Sequence, residues 1–540
     1  MTRIDERVST HVYKVKRISK EEMESIAGVC VYDQPPFCNA ACPLKLDVKA
    51  MLKAAAENDF KKAFKIYESI APFPLILSAG CGAPCEEKCR LCELGDGIAI
   101  GDIERAVALS GGAGEKRSIF RVRKKKKAAV FGSGLFALLL AGELEKKGYP
   151  VTAICGEADE EEYLRVAAGF LREDDFYTEL KRLRGKDIAF EFNAEMTREL
   201  FEEKRGGFDV LCASEKAALD IFPGAVRDEG IMLMESEGLL TGGGETVLEA
   251  ALGARKAALT ADRLAQGIDP RSARGEEGPV TSRLYTNPDL ARGLIRIKGC
   301  ESGYTREQAA EEAGRCMQCH CDECLRGCAY LRRFNKHPGL LSREIYNNTQ
   351  IIMGDHPLNR AMNACALCGQ CTVTCPHGFD MAHVCRTARE NMVDTDKMPL
   401  AAHEFALLDM LFSNGEAYLC RKQPGHSHCR YVFFPGCQAA AIAPEAVIAS
   451  YEDLCTRLKG GVALMLGCCG AIAHWAGRGE MYGEVRDKIA AELAALEDPV
   501  IIAGCPSCMK LLSEQDMAET VGIWTVLRLS LIHISEPTRL

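Results

Sequence analysis

Cysteine is what most constrains this chain. Twenty-eight cysteines occur in 540 residues, and most of them fall into four bursts separated by long stretches that hold almost none. Disulfide-built secreted scaffolds are short and follow a signal peptide. This chain is long, and its start, MTRIDERVSTHVYKVKR, is polar and charged. In a reducing compartment, thiols clustered at short fixed spacings are metal ligands, and thiolates suit iron–sulfur clusters and zinc. The sequence therefore predicts a cytoplasmic metalloprotein of three or four domains. The longest apolar stretch, AAVFGSGLFALLLAG (128–142), is too short and too glycine-rich to span a bilayer. A net charge of −9 without a basic tail gives no reason to expect nucleic acid.

The strongest burst is CALCGQCTVTCPHG, with Cys365, Cys368, Cys371 and Cys375 followed by Pro376. Its spacing, C-x2-C-x2-C-x3-C-P, is the bacterial ferredoxin run. Three closely spaced thiolates wrap three corners of a 4Fe–4S cube, and the fourth reaches a second cluster. C-x2-C pairs also build zinc ribbons, but a four-membered run closed by Cys-Pro favours a cluster. The partner run is RCMQCHCDECLRGCAY, where five thiols compete for four places. The reading C-x2-C-x4-C-x3-C takes Cys316, Cys319, Cys324 and Cys328 and leaves Cys321 spare; readings that start at Cys319 or Cys321 stay open. By the ferredoxin logic, Cys328 completes the cluster of the 365–371 triplet and Cys375 completes the other.

The first burst reads GVCVYDQPPFCNAACPLKLDV (28–48), CGAPCEEKCRLC (81–92) and GIAIGDIERAVA (97–108). It resembles the N-terminal helical iron–sulfur domain of the glutamate synthase small subunit and of dihydropyrimidine dehydrogenase. The resemblance implies two 4Fe–4S clusters shared among Cys30, Cys38, Cys42, Cys81, Cys85 and Cys89, with Glu104 in a ligand position. One departure stands out: Asp33 occupies the second place of the family's first C-x2-C-x4-C-x3-C run. A carboxylate is harder than a thiolate, so that cluster is expected to be labile, shifted in potential or assisted by Cys92.

Two adjacent cysteines in LGCCGAIAHW cannot bridge each other without severe strain. With FFPGC upstream, the pattern runs through Cys437, Cys468-Cys469-Gly470, Cys505 and Cys508. It resembles the cysteine-rich CCG domain of heterodisulfide reductase B-type subunits, in which five such cysteines hold a noncubane cluster that cleaves a disulfide. Neighbouring thiolates then bind different irons of one open assembly. The family usually carries two CCG motifs and one is present here. The tail LSLIHISEPTRL (529–540) reads like a translated sequencing adapter, so the natural chain is expected to continue past Arg528.

Between the cysteine-rich parts, AAVFGSGLFALLLAGELEKKGYPVTAIC (128–155) has the strand, glycine turn, helix and strand of a Rossmann unit. Gly132, Gly134 and Ala137 fit GxGxxG/A and are the candidate dinucleotide contacts. Its position after an iron–sulfur domain makes it resemble the flavin domain of the glutamate synthase small-subunit family. Three features of that family fail: Cys155 stands where the ribose acid belongs, with Glu157 two residues later; Ala213-Ser214-Glu215 replaces Ala-Thr-Gly; and Gly244 replaces the flavin-binding Asp. About ninety residues separate the first unit from the closing motif, too few for the inserted NADPH domain. FAD is left open, and a scaffold role competes with it. The basic run RVRKKKK (121–127) reads as a solvated linker, His377 and His474 as local hydrogen-bonding residues, and the seven cysteines outside the bursts as ordinary buried residues.

The whole order resembles the pyridine nucleotide-disulfide oxidoreductase/dicluster-binding proteins. The fold expected is multidomain α and α/β: a helical Fe–S domain (1–115), a shortened Rossmann-like parallel sheet (116–275), a 2(4Fe–4S) ferredoxin-type domain (276–400) and an α/β CCG domain (401–528). The resemblance implies an electron-transfer oxidoreductase subunit with about four 4Fe–4S clusters and one CCG-type cluster. Its partner would be a ferredoxin, dehydrogenase or reductase subunit, with any membrane association peripheral and through that partner. A non-catalytic scaffold and an FAD/NAD(P)H-dependent oxidoreductase are the alternatives.

Overall fold

The computed structural model describes residues 19–111, 123–272, 274–300, 303–352, 355–399 and 402–531. The boundary expected at 115 and the end of the adapter-like tail, from 532, lie outside them. The chain forms two compact units, one of residues 31–321 and the other of the chain up to Cys30 together with the chain from Asp322.

The first unit opens with a helical part that includes α1 (Val48–Ala56), α2 (Phe60–Glu68), α3 (Pro74–Gly80) and α4 (Ile100–Gly111). Their starts follow from local chemistry. Asp47 and Asp59 accept hydrogen bonds from the backbone of Ala50 at 3.0 Å and Lys62 at 2.9 Å, and Pro74 opens α3 where a missing N–H is harmless. Val48, Met51, Leu52 and Ala55 of α1, with Phe60, Ala63, Phe64 and Tyr67 of α2, form buried faces at helical spacing.

A six-stranded sheet follows, with β1 (Ala128–Phe131), α5 (Leu135–Lys146), β2 (Val151–Ile154), α6 (Glu173–Arg184), β3 (Ile188–Glu191), β4 (Val210–Ser214), α7 (Glu215–Ile221), β5 (Leu233–Met234), β6 (Leu239–Gly242) and α8 (Val247–Gln266). Its order is β3-β2-β1-β4-β6-β5, parallel except for β5. All four residues of β1 are buried, as a strand covered on both faces requires. The Rossmann-like sheet is present, and an antiparallel edge strand is added to it. The described part of the basic run pairs with acids, Arg123 with Asp187 and Lys124 with Asp262.

Helical and sheet parts share one core, because α8 packs on both α5 and α3. A buried acid secures the seam. Glu179 of α6 is wholly buried and accepts from the Leu75 N–H at 2.6 Å and from Arg182 Nη1 at 2.8 Å. Arg182 Nη2 donates to the Ala108 carbonyl at 2.6 Å. Residues 276–321, expected with the ferredoxin-type part, pack in this first unit. The Val280 N–H bonds to the Ala40 carbonyl at 2.9 Å, and α9 (Arg306–Gly314) lies on α1 and α4.

In the second unit, helix Lys20–Ala27 packs on α10 (Pro338–Tyr346), and α11 (Gln370–Thr374), α12 (Met381–Asp394) and α13 (Glu404–Asn414) follow. A five-stranded sheet then forms from β7 (Leu419–Arg421), β8 (Tyr431–Phe434), β9 (Val462–Leu466), β10 (Val500–Ala503) and β11 (Thr520–Gly522). Helices α14 (Cys437–Ile442), α15 (Ala471–Trp475) and α16 (Pro506–Glu514) follow β8, β9 and β10. Strand order is β11-β10-β8-β9-β7, with β7 antiparallel. The chain runs from β8 to β9 on one side and then crosses to β10 on the other, which makes a topological switch point beside β8. No helix among the described residues is long and apolar enough to cross a membrane.

Replacing Glu179 by Ala strands Arg182 and the Leu75 N–H in the seam. The first unit is expected to lose about 3–5 kcal/mol, read as a lower urea midpoint for its unfolding; an unchanged midpoint would show that the seam does not depend on this group.

Candidate metal centres

Two sets of thiols gather in the first unit. Cys42, Cys81 and Cys85 surround Glu104, a buried acid on α4 that accepts from the Tyr67 hydroxyl at 3.2 Å. Burial pushes the Glu104 carboxyl up to about 8, and burial with the Glu104 charge beside it pushes Cys81 up to about 12. Arg255 acts on Cys42, and a metal core would add further positive charge to this set. The second set was not foreseen. Cys38 and Cys89 are joined by Cys316 and Cys319, whose charges act on Cys38. Burial first, then these neighbours, raise the Cys38 thiol, and burial pushes Cys316 up to about 11. Cys92 is exposed, with its thiol directed at the Glu86 carbonyl at 3.4 Å; burial first, then neighbouring Cys89, raises it.

Cys30 belongs to the other unit. It packs against Gly339, where a Cβ would meet its own Cβ at 2.9 Å, and borders the core that holds Cys324 and Cys371, with Cys328, Cys365 and Cys375 at its edge. Cys321 is the last residue of the first unit and is half-buried. The two cysteine runs meet where Gly327 approaches Thr374: a Cβ on Gly327 would stand 2.7 Å from Thr374 Oγ1. Beside this contact a cavity of about 950 Å³ is lined by Cys328, Cys365, Cys368 and Cys371 with Tyr330 and Met381. The triplet and Cys328 thus face one space. The Cys385 thiol, on α12, donates to Cys365 and holds it down to about 6, and Arg389 adds to the effect.

The five CCG cysteines converge at the carboxyl ends of β8, β9 and β10, in the crevice at the switch point. Their sulfurs form a continuous chain of contacts, Cys437 to Cys468, Cys468 to Cys469, Cys469 to Cys508, and Cys508 to Cys505. Gly436 has φ +85°, and a Cβ there would meet Cys505 Cβ at 3.1 Å and Cys508 Sγ at 3.3 Å, so glycine permits the closure. The Cys508 thiol and then the backbone N–H groups at the start of α16 hold Cys505 down to about 5. Cys469 is lowered by thiol donors on both sides, Cys468 and Cys508, while Cys437 is raised by its contact with Cys468.

Residues that the sequence did not single out hold these loops in place. Arg389 is fully buried and donates to the carbonyls of Met362, Cys365 and Trp475. One side chain therefore straps the ferredoxin-type loop to the end of α15, the helix that follows Cys468-Cys469-Gly470. Asn414, at the end of α13, bonds both the Cys468 N–H at 2.9 Å and the Cys468 carbonyl at 3.1 Å. His474 Nε2 faces Arg386 at 3.1 Å, and burial followed by that guanidinium lowers its pKa. His377 Nε2 is buried without a hydrogen-bond partner. Of the cysteines outside the bursts, Cys155, Cys212, Cys385 and Cys429 are buried and Cys420 and Cys455 half-buried. The expectation fails at Cys300, which is exposed in the turn that brings it against Gly303.

In the sheet of the first unit, Gly132 and Gly134 adopt positive φ at the foot of α5, and Ala137 is buried behind them. Across the crevice, Glu215 at the start of α7 fills the space beside Gly243, where a Cβ would lie 2.3 Å from its Oε2. No three His, Cys, Asp or Glu side chains among the described residues close on a position for a single metal ion.

Three family models match the chain: dihydropyrimidine dehydrogenase domain II, 4Fe-4S cluster, over residues 7–112; 4Fe-4S dicluster domain, over 315–380; and the CCG cysteine-rich domain, over 431–513. The chain is a multidomain iron–sulfur protein. It is similar to the NADPH-Fe(3+) oxidoreductase subunit beta of Geobacter sulfurreducens, 28% identical over 230 residues, 40% of this chain and 33% of that one. The NADP(+)-dependent formate dehydrogenase subunit beta of Moorella thermoacetica is 28% identical over 25% of the chain and 21% of its own length. The glutamate synthase [NADPH] small chain of Azospirillum brasilense is 29% identical over 25% and 29%. The iron–sulfur protein thus spans about a third of the length of the first of these relatives. Each of these relatives is named as a subunit or chain of an oxidoreductase.

Proposed function

We propose that this iron–sulfur protein is a cytoplasmic electron-transfer subunit that relays electrons through about four 4Fe–4S clusters to a CCG-type cluster. The observation that carries the reading is Arg389, which ties the loop of Cys365 to the end of α15, the helix after Cys468-Cys469-Gly470. It sets a four-thiol cavity and a five-thiol crevice on neighbouring loops of one compact unit. The donor sets fit the groups: thiolates are the ligands that iron–sulfur cores take, and the spacing of Cys365, Cys368, Cys371 and Cys375 before Pro376 is that of a cluster run. Cys437, Cys468, Cys469, Cys505 and Cys508 would hold the CCG-type cluster, which would supply a site for thiol–disulfide chemistry. The fixed positive charge of Arg389 beside Cys365 favours the electron-rich state of whatever the cavity holds. The partner is a redox protein such as a ferredoxin, dehydrogenase or reductase subunit.

Turnover separates this from a non-catalytic scaffold. Protein reconstituted with iron and sulfide and given a chemical reductant is expected to reduce an artificial disulfide or dye repeatedly. Cys469→Ala should abolish disulfide reduction while leaving the ferredoxin-type paramagnetic signals, and Arg389→Met should slow it several-fold. Absence of turnover in the loaded wild-type protein favours the scaffold.

Hydride entry at the Rossmann-like domain is disfavoured. Gly132 and Gly134 keep the phosphate turn, but the Glu215 side chain, paired with Arg227 at 3.1 Å, occupies the space beside Gly243 in the crevice that a pyrophosphate would enter. The domain is proposed as a scaffold for the cluster domains. Acid extraction is expected to release far less than one flavin per chain; stoichiometric FAD would restore the FAD/NAD(P)H-dependent reading.

A further inference from the structure

We infer that one 4Fe–4S cluster of this protein is held by Cys38 and Cys89 of the N-terminal domain together with Cys316 and Cys319, contributed from beyond the Rossmann-like domain. The inference rests on the iron–sulfur reading above and changes the assignment of ligands within it.

Cys38 and Cys89 need two further thiols. Asp33 occupies one place that the N-terminal pattern reserves for them, and Cys30 packs in the other unit on Gly339. The missing pair has C-x2-C spacing, and Cys316-Met-Gln-Cys319 supplies it.

The delivery of that pair is built into the fold. α9 begins with a capping box of Thr305 and Gln308 and buries Ala309 and Ala313, packing on α1 and α4. Glu312 is wholly buried and accepts from the Ala99 N–H at 3.0 Å, the Ile297 N–H at 2.9 Å and Arg315 Nη1 at 2.6 Å. Arg315 Nη2 reaches the Asp96 carbonyl at 2.6 Å. The helix end, one residue before Cys316, is therefore fixed to the loop that follows Cys89. The other side of the turn is fixed as well. Lys49 Nζ donates to the Cys319 carbonyl at 2.9 Å, and Gln318 Nε2 to the Lys49 carbonyl at 3.3 Å. The Lys49 N–H in turn donates to Asn39 Oδ1 at 3.0 Å, next to Cys38.

The turn has the conformation of a cluster loop. Gln318, before Cys319, has φ +51°, and so does Leu367 before Cys368 in the ferredoxin-type run. A left-handed conformation is unfavourable for a non-glycine residue, and both C-x2-C turns accept it at the same place. In both, a nearby donor meets the first sulfur: Gln318 Nε2 lies 3.4 Å from Cys316 Sγ, and the Leu367 N–H 3.5 Å from Cys365 Sγ.

This assignment rules out the C-x2-C-x4-C-x3-C reading of the 316–328 run. It also gives the cluster a structural role, because its ligands come from both sides of the Rossmann-like domain and close a loop of more than two hundred residues (Cys89 to Cys316).

The test uses full-length protein, purified and reconstituted without oxygen, with single variants Cys89→Ala, Cys319→Ala and Cys365→Ala and the double variant Cys89→Ala/Cys319→Ala. Iron per chain and the paramagnetic spectrum of the reduced protein are read. Cys319→Ala and Cys89→Ala should each lose about four irons and the same signal, keep the signal that Cys365→Ala removes, and lose no more when combined. Cys319→Ser, which keeps an oxygen donor in a matched fold, should shift that signal rather than erase it. Loss of the Cys365-type signal in Cys319→Ala, or additive iron loss in the double variant, would overturn the assignment. A wild-type protein without iron would instead bring down the iron–sulfur reading itself.

Discussion

The rest of the structure depends on burying thiols and a carboxylate where neither water nor a full set of hydrogen bonds can satisfy their charged forms. Cys38, Cys81, Cys85 and Cys316 are all raised by burial first, and Glu104 is pushed in the same direction inside a helical core. Anionic groups collected in this way repel one another, and a cationic inorganic core reverses the balance: desolvation then favours binding rather than opposing it. The helices, caps and buried ion pairs around each set hold the donors in place so that the repulsion cannot scatter them.

The two units achieve this by different means. In the first, a carboxylate–guanidinium pair, Glu312 with Arg315, anchors the end of a helix, and the turn beyond it carries two thiols. In the second, a parallel sheet changes direction beside β8, and the loops that leave β8, β9 and β10 bring five sulfurs into one crevice. Gly436 allows those loops to touch, Asn414 clamps the Cys468 backbone, and Arg389 joins the crevice to the ferredoxin-type cavity. All three act through backbone atoms or through the absence of a side chain.

That difference decides what could be read from the sequence. The Cys365–Cys375 run, the cysteine pair before Gly470 and the strand–turn–helix at Gly132 carry their chemistry in local spacing, and each was legible. So were the parallel sheets, whose short buried apolar strands alternate with helices. Cys316 and Cys319 stood out in the sequence as candidate ligands, but their place beside Cys38 did not, because it depends on Glu312 meeting the backbone of Ala99, 213 residues away in sequence. Arg389 and Asn414 left no pattern, since their partners are main-chain carbonyls and an N–H that any sequence offers. Cys300 was misread because an isolated cysteine carries no spacing, and a surface turn and a core strand look alike around it. The edge strand β5 is two residues long, too short for periodicity to show.

The central claim is that these gathered sulfurs grip inorganic iron. Its most direct test is metal analysis with paramagnetic resonance on full-length protein purified without oxygen and then reduced. The account predicts a brown protein with more than about ten irons per chain and overlapping signals from several reduced clusters. A colourless protein that holds only zinc and gives a blank spectrum would contradict it.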